Sequence, residues 1–136
     1  LLGTTTWAEW KSDHPNGEVL SRDTGHNRNY DQYPYGTYEE NDELYFGVKN
    51  LNQKLQIKTV VYGIEIGDLA KAYPEDVINS RQTIEDKIGT TSILIEKTSS
   101  GEVKVTNTQT GEEIVPLRLF WFAWAAFHPD TQLYDQ

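Results

Sequence analysis

The two ends of this chain of 136 residues carry the same pattern of tryptophan, histidine and proline, which limits what the chain can fold into. Residues 7–20 align without gaps to residues 121–134. The identical positions are Trp7, Trp10, His14 and Pro15 in the first copy, and Trp121, Trp124, His128 and Pro129 in the second. Because the copies begin more than about 50 residues apart, the repeated unit is not a solenoid repeat but a duplicated piece the size of a domain.

This repetition predicts how the chain is divided. We expect residues 1–43 to hold the end of a preceding repeat and an irregular aromatic connection. Residues 44–136 are then a complete second repeat, rich in β-strands and closed by a C-terminal helix. On this interpretation the first copy closes a unit whose body lies outside these residues, so we expect the protein to continue on its N-terminal side.

Both copies are predicted to be short helices. Trp7 to Asp13 has an amphipathic pattern, with threonines before it that can cap a helix start, and Pro15 stops it. Phe120 to Phe127 is apolar on all sides, so we expect it to be buried on most of them.

The stretch from Arg22 to Asn41 has neither a helical nor an alternating period. It contains Gly25, Pro34, Gly36 and four tyrosines. A stretch of this length without a period is typical of a functional loop or a linker between packed units. We expect an irregular connection whose aromatic rings lie over other surface of the protein.

The remaining pattern is mostly that of β-strands, because apolar residues alternate and glycine turns separate the segments. A short helix is predicted from Pro74 through Asn79, after a hairpin at Gly67-Asp68. The strand candidates are residues 18–21, 43–46, 58–66, 69–73, 83–88, 92–97, 102–106 and 113–119. The predicted fold class is therefore α+β, mainly antiparallel β-sheet with short helices near both ends.

Composition excludes several classes of function. The net charge of −9 opposes binding to nucleic acid. The chain has no cysteine, which excludes disulfides, thiolate metal sites and cysteine nucleophiles within it. The longest apolar run, Leu119 to Phe127, is about half of what a bilayer crossing needs, so we expect no membrane-spanning segment.

The repeated residues have two interpretations each. The tryptophans either pin a helix to a sheet, which we favour, or form a platform for a sugar ring or a cation. His14 and His128 either cap the ends of their helices, which we favour, or converge on a metal ion, with Asp13 or Asp130 as a further ligand.

Two polar segments have a plain and a functional interpretation. Asp23-Thr24-Gly25 resembles the aspartic protease triplet but is more often a turn, and His26 with Arg28 and Asp23 would make a small polar site. The acidic run at residues 39–43 is either a solvated face or a weak calcium site. We predict no catalytic, cofactor-binding or metal residue in the chain, and the interaction candidates are Trp7, Trp10, His14, Asp23, His26, Trp121, Trp124 and His128.

Several motifs resemble those of one bacterial and archaeal family. The chain is similar to the domain of unknown function DUF3179 in register from about Thr5 to Tyr134. The similar segments are Trp7 to Pro15, Leu20 to Gly25 with Tyr30 and Pro34-Tyr35, Gly63 to Ile66, Ala70 to Pro74, and Phe120 to Thr131. The resemblance implies a tandem duplication, commonly with an export signal or a lipid anchor.

The same resemblance implies thiol or metal redox chemistry, because the first repeat of many members has a Cys-Pro-Leu-Cys type of motif. The corresponding stretch here, about Glu96 to Gly101, has no cysteine. A redox centre, or a metal, would therefore lie in the other half of the full-length protein.

From these observations we expect a non-catalytic, extracytoplasmic domain that packs on a sibling repeat or a partner protein. The aromatic helix and the tyrosine-rich connection would form the contact. Two alternatives remain: an accessory half of a thiol- or metal-dependent redox protein, and a glycan-binding module. The identity of any small ligand is not predicted.

Overall fold

The computed structural model describes residues 4–48 and 51–135 and has the predicted α+β fold. In those residues no helix has the length and apolarity that a bilayer crossing needs. The helices of the described residues are α1 Trp7–Asp13, α2 Glu75–Arg81 and α3 Trp121–Phe127. The strands are β1 Val60–Ile66, β2 Leu69–Pro74, β3 Thr83–Ile88, β4 Thr91–Lys97, β5 Val103–Asn107, β6 Glu113–Ile114, β7 Leu117–Phe120 and β8 Gln132–Leu133.

The strands form two sheets of four. The first sheet has the order β7-β1-β2-β8 and the second has the order β3-β4-β5-β6. The predicted hairpin at Gly67 joins β1 to β2, where this glycine has a φ of 59°. The strands pair antiparallel except that β8 runs parallel to β2, with Lys71 opposite Gln132 and Ala72 opposite Leu133.

Alternation along β1 gives the first sheet two faces. Val61, Gly63 and Glu65 point towards α3, whereas Tyr62 and Ile64 join the core shared with the second sheet. Successive side chains of a strand point to opposite faces, so both faces of this strand are covered. The order of layers is therefore α3, first sheet, second sheet.

A partly buried polar cluster lies beside the core between the sheets. The Lys71 ammonium is 2.5 Å from an oxygen of Asp86, and the Tyr73 hydroxyl donates to the same oxygen at 2.7 Å. Burial opposes the charge of Asp86, but the hydrogen bonds from Lys71 and Tyr73 outweigh it and lower the pKa of the carboxyl. Burial and the bond to Asp86 raise the pKa of Tyr73.

Residues 14–48 differ from the rest of the chain because most of them are exposed and almost none are in regular structure. Val19, Leu20 and Phe46 are exposed to 67%, 99% and 83%. We expected the aromatic rings of residues 22–41 to lie over other surface, and that expectation was wrong for three of the four tyrosines, since Tyr30, Tyr33 and Tyr35 are exposed to 45%, 51% and 55%. The ring of Tyr38 does contact the body, since the Lys58 ammonium is 3.5 Å from its centroid.

Three predicted strands differ from the structure. Residues 18–21 and 43–46 are not strands, because no strand of the described residues offers them hydrogen bonds. The predicted strand 113–119 is divided between β6 and β7, which belong to different sheets. Pro116 lies at this break, where a residue without an N–H is tolerated. The proposed division at residues 43 and 44 stays a prediction.

Candidate functional site

The packing of α3 on the first sheet is centred on the indole of Trp124. Trp124 is 1% exposed and lies against Gly63 of β1, where a Cβ would be only 2.3 Å from indole carbons. Its Nε1 donates to the Thr131 hydroxyl at 2.8 Å. The buried Trp121 donates from its Nε1 to the carbonyl of Asn52 at 2.7 Å. Both indoles therefore have their packing and their hydrogen bond within this chain, as the packing interpretation predicts.

His128 ends this helix and connects it to the sheet. Its backbone N–H donates to the Trp124 carbonyl at 2.9 Å, and its ring centroid is 3.9 Å from that of Trp124. The Nε2 atom is 3.0 Å from an oxygen of Glu65. The chain after it pairs with β2, where the Tyr134 N–H donates to the Ala72 carbonyl at 2.9 Å.

The first copy of the motif has the same local conformation. The N-cap of α1, Thr6, has φ −77° and ψ 153°, against −71° and 147° at Phe120 of α3. The C-cap His14 has φ −125° and ψ 65°, against −127° and 71° at His128. The His14 N–H donates to the Trp10 carbonyl at 2.9 Å, as its counterpart does in α3. The two segments are thus the same helix and turn.

The surroundings of the two copies differ. No residue of α1 is buried, and Trp7 is 55% exposed. Trp7 stacks on Trp10 at 5.3 Å, and Trp10 stacks on His14 at 5.1 Å between centroids. Gly17 stands where the second copy has Thr131, and a Cβ there would be 2.4 Å from the Trp10 ring. The indole of Trp10 therefore fills the space over its own turn, with no sheet beneath it among the described residues.

The difference extends to the strand that follows. Leu133 is partly buried and packs against the core cluster under α3, and the Tyr134 ring stacks on Tyr73 at 5.2 Å between centroids. The aligned residues, Val19 and Leu20, are exposed and lie outside any strand. Residues 7–20 thus have a core-forming sequence, but no core forms around them among the described residues.

α1 is attached to the body through Glu9. This residue forms a capping box with Thr6, and it also accepts a hydrogen bond from the Ser100 hydroxyl. The bond from Ser100 contributes most to lowering the pKa of the Glu9 carboxyl. This contact is polar and leaves the indoles of α1 uncovered.

The other candidate residues lie in the connection and are not brought to these tryptophans by any contact among the described residues. Asp23 and His26 are exposed, and Gly25 has a φ of 73°, which suits a turn. Arg22 pairs with Asp31 at 2.6 Å. Within residues 4–48 and 51–135, no group of three histidine, aspartate or glutamate side chains is placed to hold a metal ion.

The acidic run contacts its neighbours within the connection. The Tyr33 hydroxyl donates to Glu39 at 2.5 Å, and this bond raises the pKa of Tyr33 to about 12. Asn41 accepts a hydrogen bond from the Lys58 ammonium at 3.1 Å. The connection is therefore held near the body at Lys58 and is largely solvated elsewhere.

Comparison with known proteins decides the family. A family model described as "Protein of unknown function (DUF3179)" matches residues 2–118. The chain belongs to the DUF3179 family. Comparison with the curated proteins finds no match, and comparison with the solved structures finds none either. In this DUF3179 chain, α1, the connection and both sheets down to the start of β7 lie in the matched residues, whereas α3 and β8 follow them.

Some residues that build the site in this DUF3179 chain were absent from the sequence predictions. Gly63, Glu65 and Thr131 contact the second helix or its C-terminal turn, and Val19 and Leu20 are the exposed residues that follow the first helix. The gapless alignment, which pairs Val19 with Leu133, is the signal that points to the last two. Nothing local in the sequence pairs Glu65 with His128, because their contact depends on how β1 and α3 pack.

Proposed function

We propose that this DUF3179 domain is a non-catalytic docking domain that binds a sibling repeat or a partner protein through α1 and the connection. The observation that carries the proposal is the contrast between two copies of one motif. Trp124 is buried on a sheet, whereas Trp7 is half exposed and Leu20 is 99% exposed. A segment with core-forming side chains and no core is typical of a protein interaction site.

The size and chemistry of the exposed side chains favour a protein as the partner. Large apolar or aromatic side chains recur along the segment, and such residues carry much of the binding energy at protein interfaces. They are Trp7, Val19, Leu20, Tyr30, Tyr33, Tyr35, Tyr45 and Phe46. Residues 15–48 contain seven acidic and two basic residues, so we expect a partner surface with basic side chains.

We place the domain outside the cytoplasm. The support for this part of the proposal is the family resemblance described above, which implies an export signal or a lipid anchor. A possible metal or thiol centre belongs, on the same grounds, to the other half of the full-length protein.

A cysteine-reactivity experiment tests docking, and the native chain contributes no cysteine to its background. Leu20→Cys places a thiol in the exposed segment that follows α1, and Gln109→Cys places a control thiol at an exposed polar turn. In the isolated chain both thiols should react with a maleimide at similar rates. In the full-length protein in its own cells, the thiol at position 20 should react at least about tenfold more slowly.

Two results would contradict the proposal. Equal reactivity of both thiols in the full-length protein would mean that the segment is not covered, and the docking function would be wrong. A membrane-impermeant maleimide that labels position 109 only after lysis of the cytoplasmic membrane would overturn the extracytoplasmic location.

A further inference from the structure

Resting on the proposed docking function, we infer that residues 6–20 bind as a helix followed by a parallel edge strand. The partner surface is a β-hairpin of the β1–β2 kind on a sibling repeat, with a glycine under the Trp10 indole. The template for this complex is the contact that residues 120–134 already make inside the same chain.

The template defines what the partner strand must supply. In the second copy, Gly63 leaves room for the indole of Trp124, and Glu65 of the same strand reaches the ring of His128 at 3.0 Å. Because Trp10 and His14 hold the equivalent positions on α1, the partner strand needs a glycine and, two residues later, a carboxylate. A larger residue in place of the glycine would exclude the indole.

The strand that follows supplies the backbone hydrogen bonds. β8 pairs parallel to β2, and the Tyr134 N–H donates to the Ala72 carbonyl. The Leu20 N–H is its counterpart and, in this binding mode, donates to a carbonyl of the partner strand. Strand addition to an open sheet edge is a common way to bind an extended segment.

The charges of residues 6–20 set requirements on the partner at this register. Gln132 lies opposite Lys71 in the parallel pair, and the first copy has Glu18 in place of Gln132. An acidic residue at this position matches a basic residue on the partner strand. Lys11 replaces the buried Ala125, so the partner needs an acidic group or a gap there through which the ammonium reaches water.

A second copy of this chain is a poorer partner than a sibling repeat. In every molecule of this chain α3 already covers Gly63, and β8 already pairs with the edge of β2. Displacing them would break contacts that are linked covalently to the sheet and therefore form at high effective concentration.

A graft within the full chain tests the binding mode. Residues 120–134 are replaced by the sequence of residues 6–20, while the original residues 6–20 are kept. The same sequence is then present twice in one molecule, once beside the hairpin and once in its native place. We expect the amide at position 134 to exchange at least about 100-fold more slowly than the Leu20 amide, by residue-resolved NMR.

The graft has its own control. A second graft with alanine in place of the grafted Trp10 should lose this protection, because the indole that seats the helix is missing. Equal exchange at positions 20 and 134 in the first graft, with β3 to β6 still protected, would overturn the inferred mode.

A smaller replacement covers the case in which the full graft does not fold. Residues 131–134 are replaced by the sequence of residues 17–20, while α3 is kept. Protection at position 134 would support the strand addition, and its loss in a folded protein would overturn it. A dimer of the native chain with a protected Leu20 amide would also overturn the sibling repeat as the partner.

These results are separable from the maleimide experiment. If the thiol at position 20 is protected in the full-length protein and the grafts fail, docking holds and the strand mode is wrong. If the grafts succeed and that thiol is reactive, the segment is able to bind a hairpin but does not do so in the protein.

Discussion

Gly63 and Trp124 are in direct contact across the layer between β1 and α3, with no room for even a methyl group between them. A Cβ on Gly63 would be 2.3 Å from the Cε3 and Cζ3 atoms of the indole. The neighbouring residues Ala70 and Ala72 are small as well and pack in the same cluster. The small residues of the first sheet therefore leave room for α3 to pack on it through Trp124.

Gly63→Ala should destabilise the chain by about 3 kcal/mol, because the added methyl group overpacks a rigid buried ring. The measurement is the free energy of unfolding in urea, followed by tryptophan fluorescence. Gly47→Ala is the matched control, since a Cβ there has nothing within 4 Å. Similar losses of stability in both variants would mean that the close contact between Gly63 and Trp124 is not what makes a methyl group costly at position 63.

Thr131→Val should cost about 1–3 kcal/mol, because it leaves the buried Nε1–H of Trp124 without an acceptor. Thr131→Ser keeps the hydroxyl and should retain most of the stability. Thermal unfolding of the two variants measures the difference. If the serine variant is no more stable than the valine variant, the hydrogen bond is not what holds this indole.

Asp86 should contribute stability that depends on pH. Its pKa is below the ordinary value of 3.8, so its contribution is present above that pH and is lost as the pH falls through the folded pKa. Asp86→Asn should reduce the free energy of unfolding by about 2 kcal/mol at neutral pH and flatten its fall below about pH 4. Urea titrations at several pH values measure both effects. Glu85→Gln, which removes the carboxylate of an exposed neighbour, is the control and should change the free energy of unfolding at neutral pH by less than about 0.5 kcal/mol.

The two copies of the motif should differ in the effect of equivalent substitutions. Leu133→Ala should cost about 2 kcal/mol because this partly buried side chain packs against the core cluster under α3. Val19→Ala, at the aligned position, should change the free energy of unfolding of the isolated chain by less than about 0.5 kcal/mol. Chemical unfolding of both variants is the measurement, and equal costs would mean that the first copy has a core after all.

Much of the fold was predictable because its signals are local. α1 begins and ends where the sequence predicts, since a capping box at Thr6 and Glu9 starts it and Pro15 follows its end. The β1–β2 hairpin was predictable because alternation on both sides of Gly67 identifies the strands. Signals of this kind need only neighbours along the chain.

Other features were not predictable because they depend on contacts between distant residues. Residues 18–21 have the composition of a strand but form none, because they have no partner strand in the part of the chain that the structure describes. The residues aligned with this segment in the second copy do form a strand, β8, because they pair in parallel with β2. The contact of Glu65 with His128 likewise needs β1 and α3 to meet.

The sequence by itself determined that residues 7–20 and 121–134 share one helix, one turn and one histidine cap, because backbone conformation at this scale follows from adjacent residues. Only the tertiary structure decided that Trp124 is buried while Trp7 lies half exposed. Burial of an indole requires a sheet with room for it, and among the described residues that sheet lies beneath the second copy.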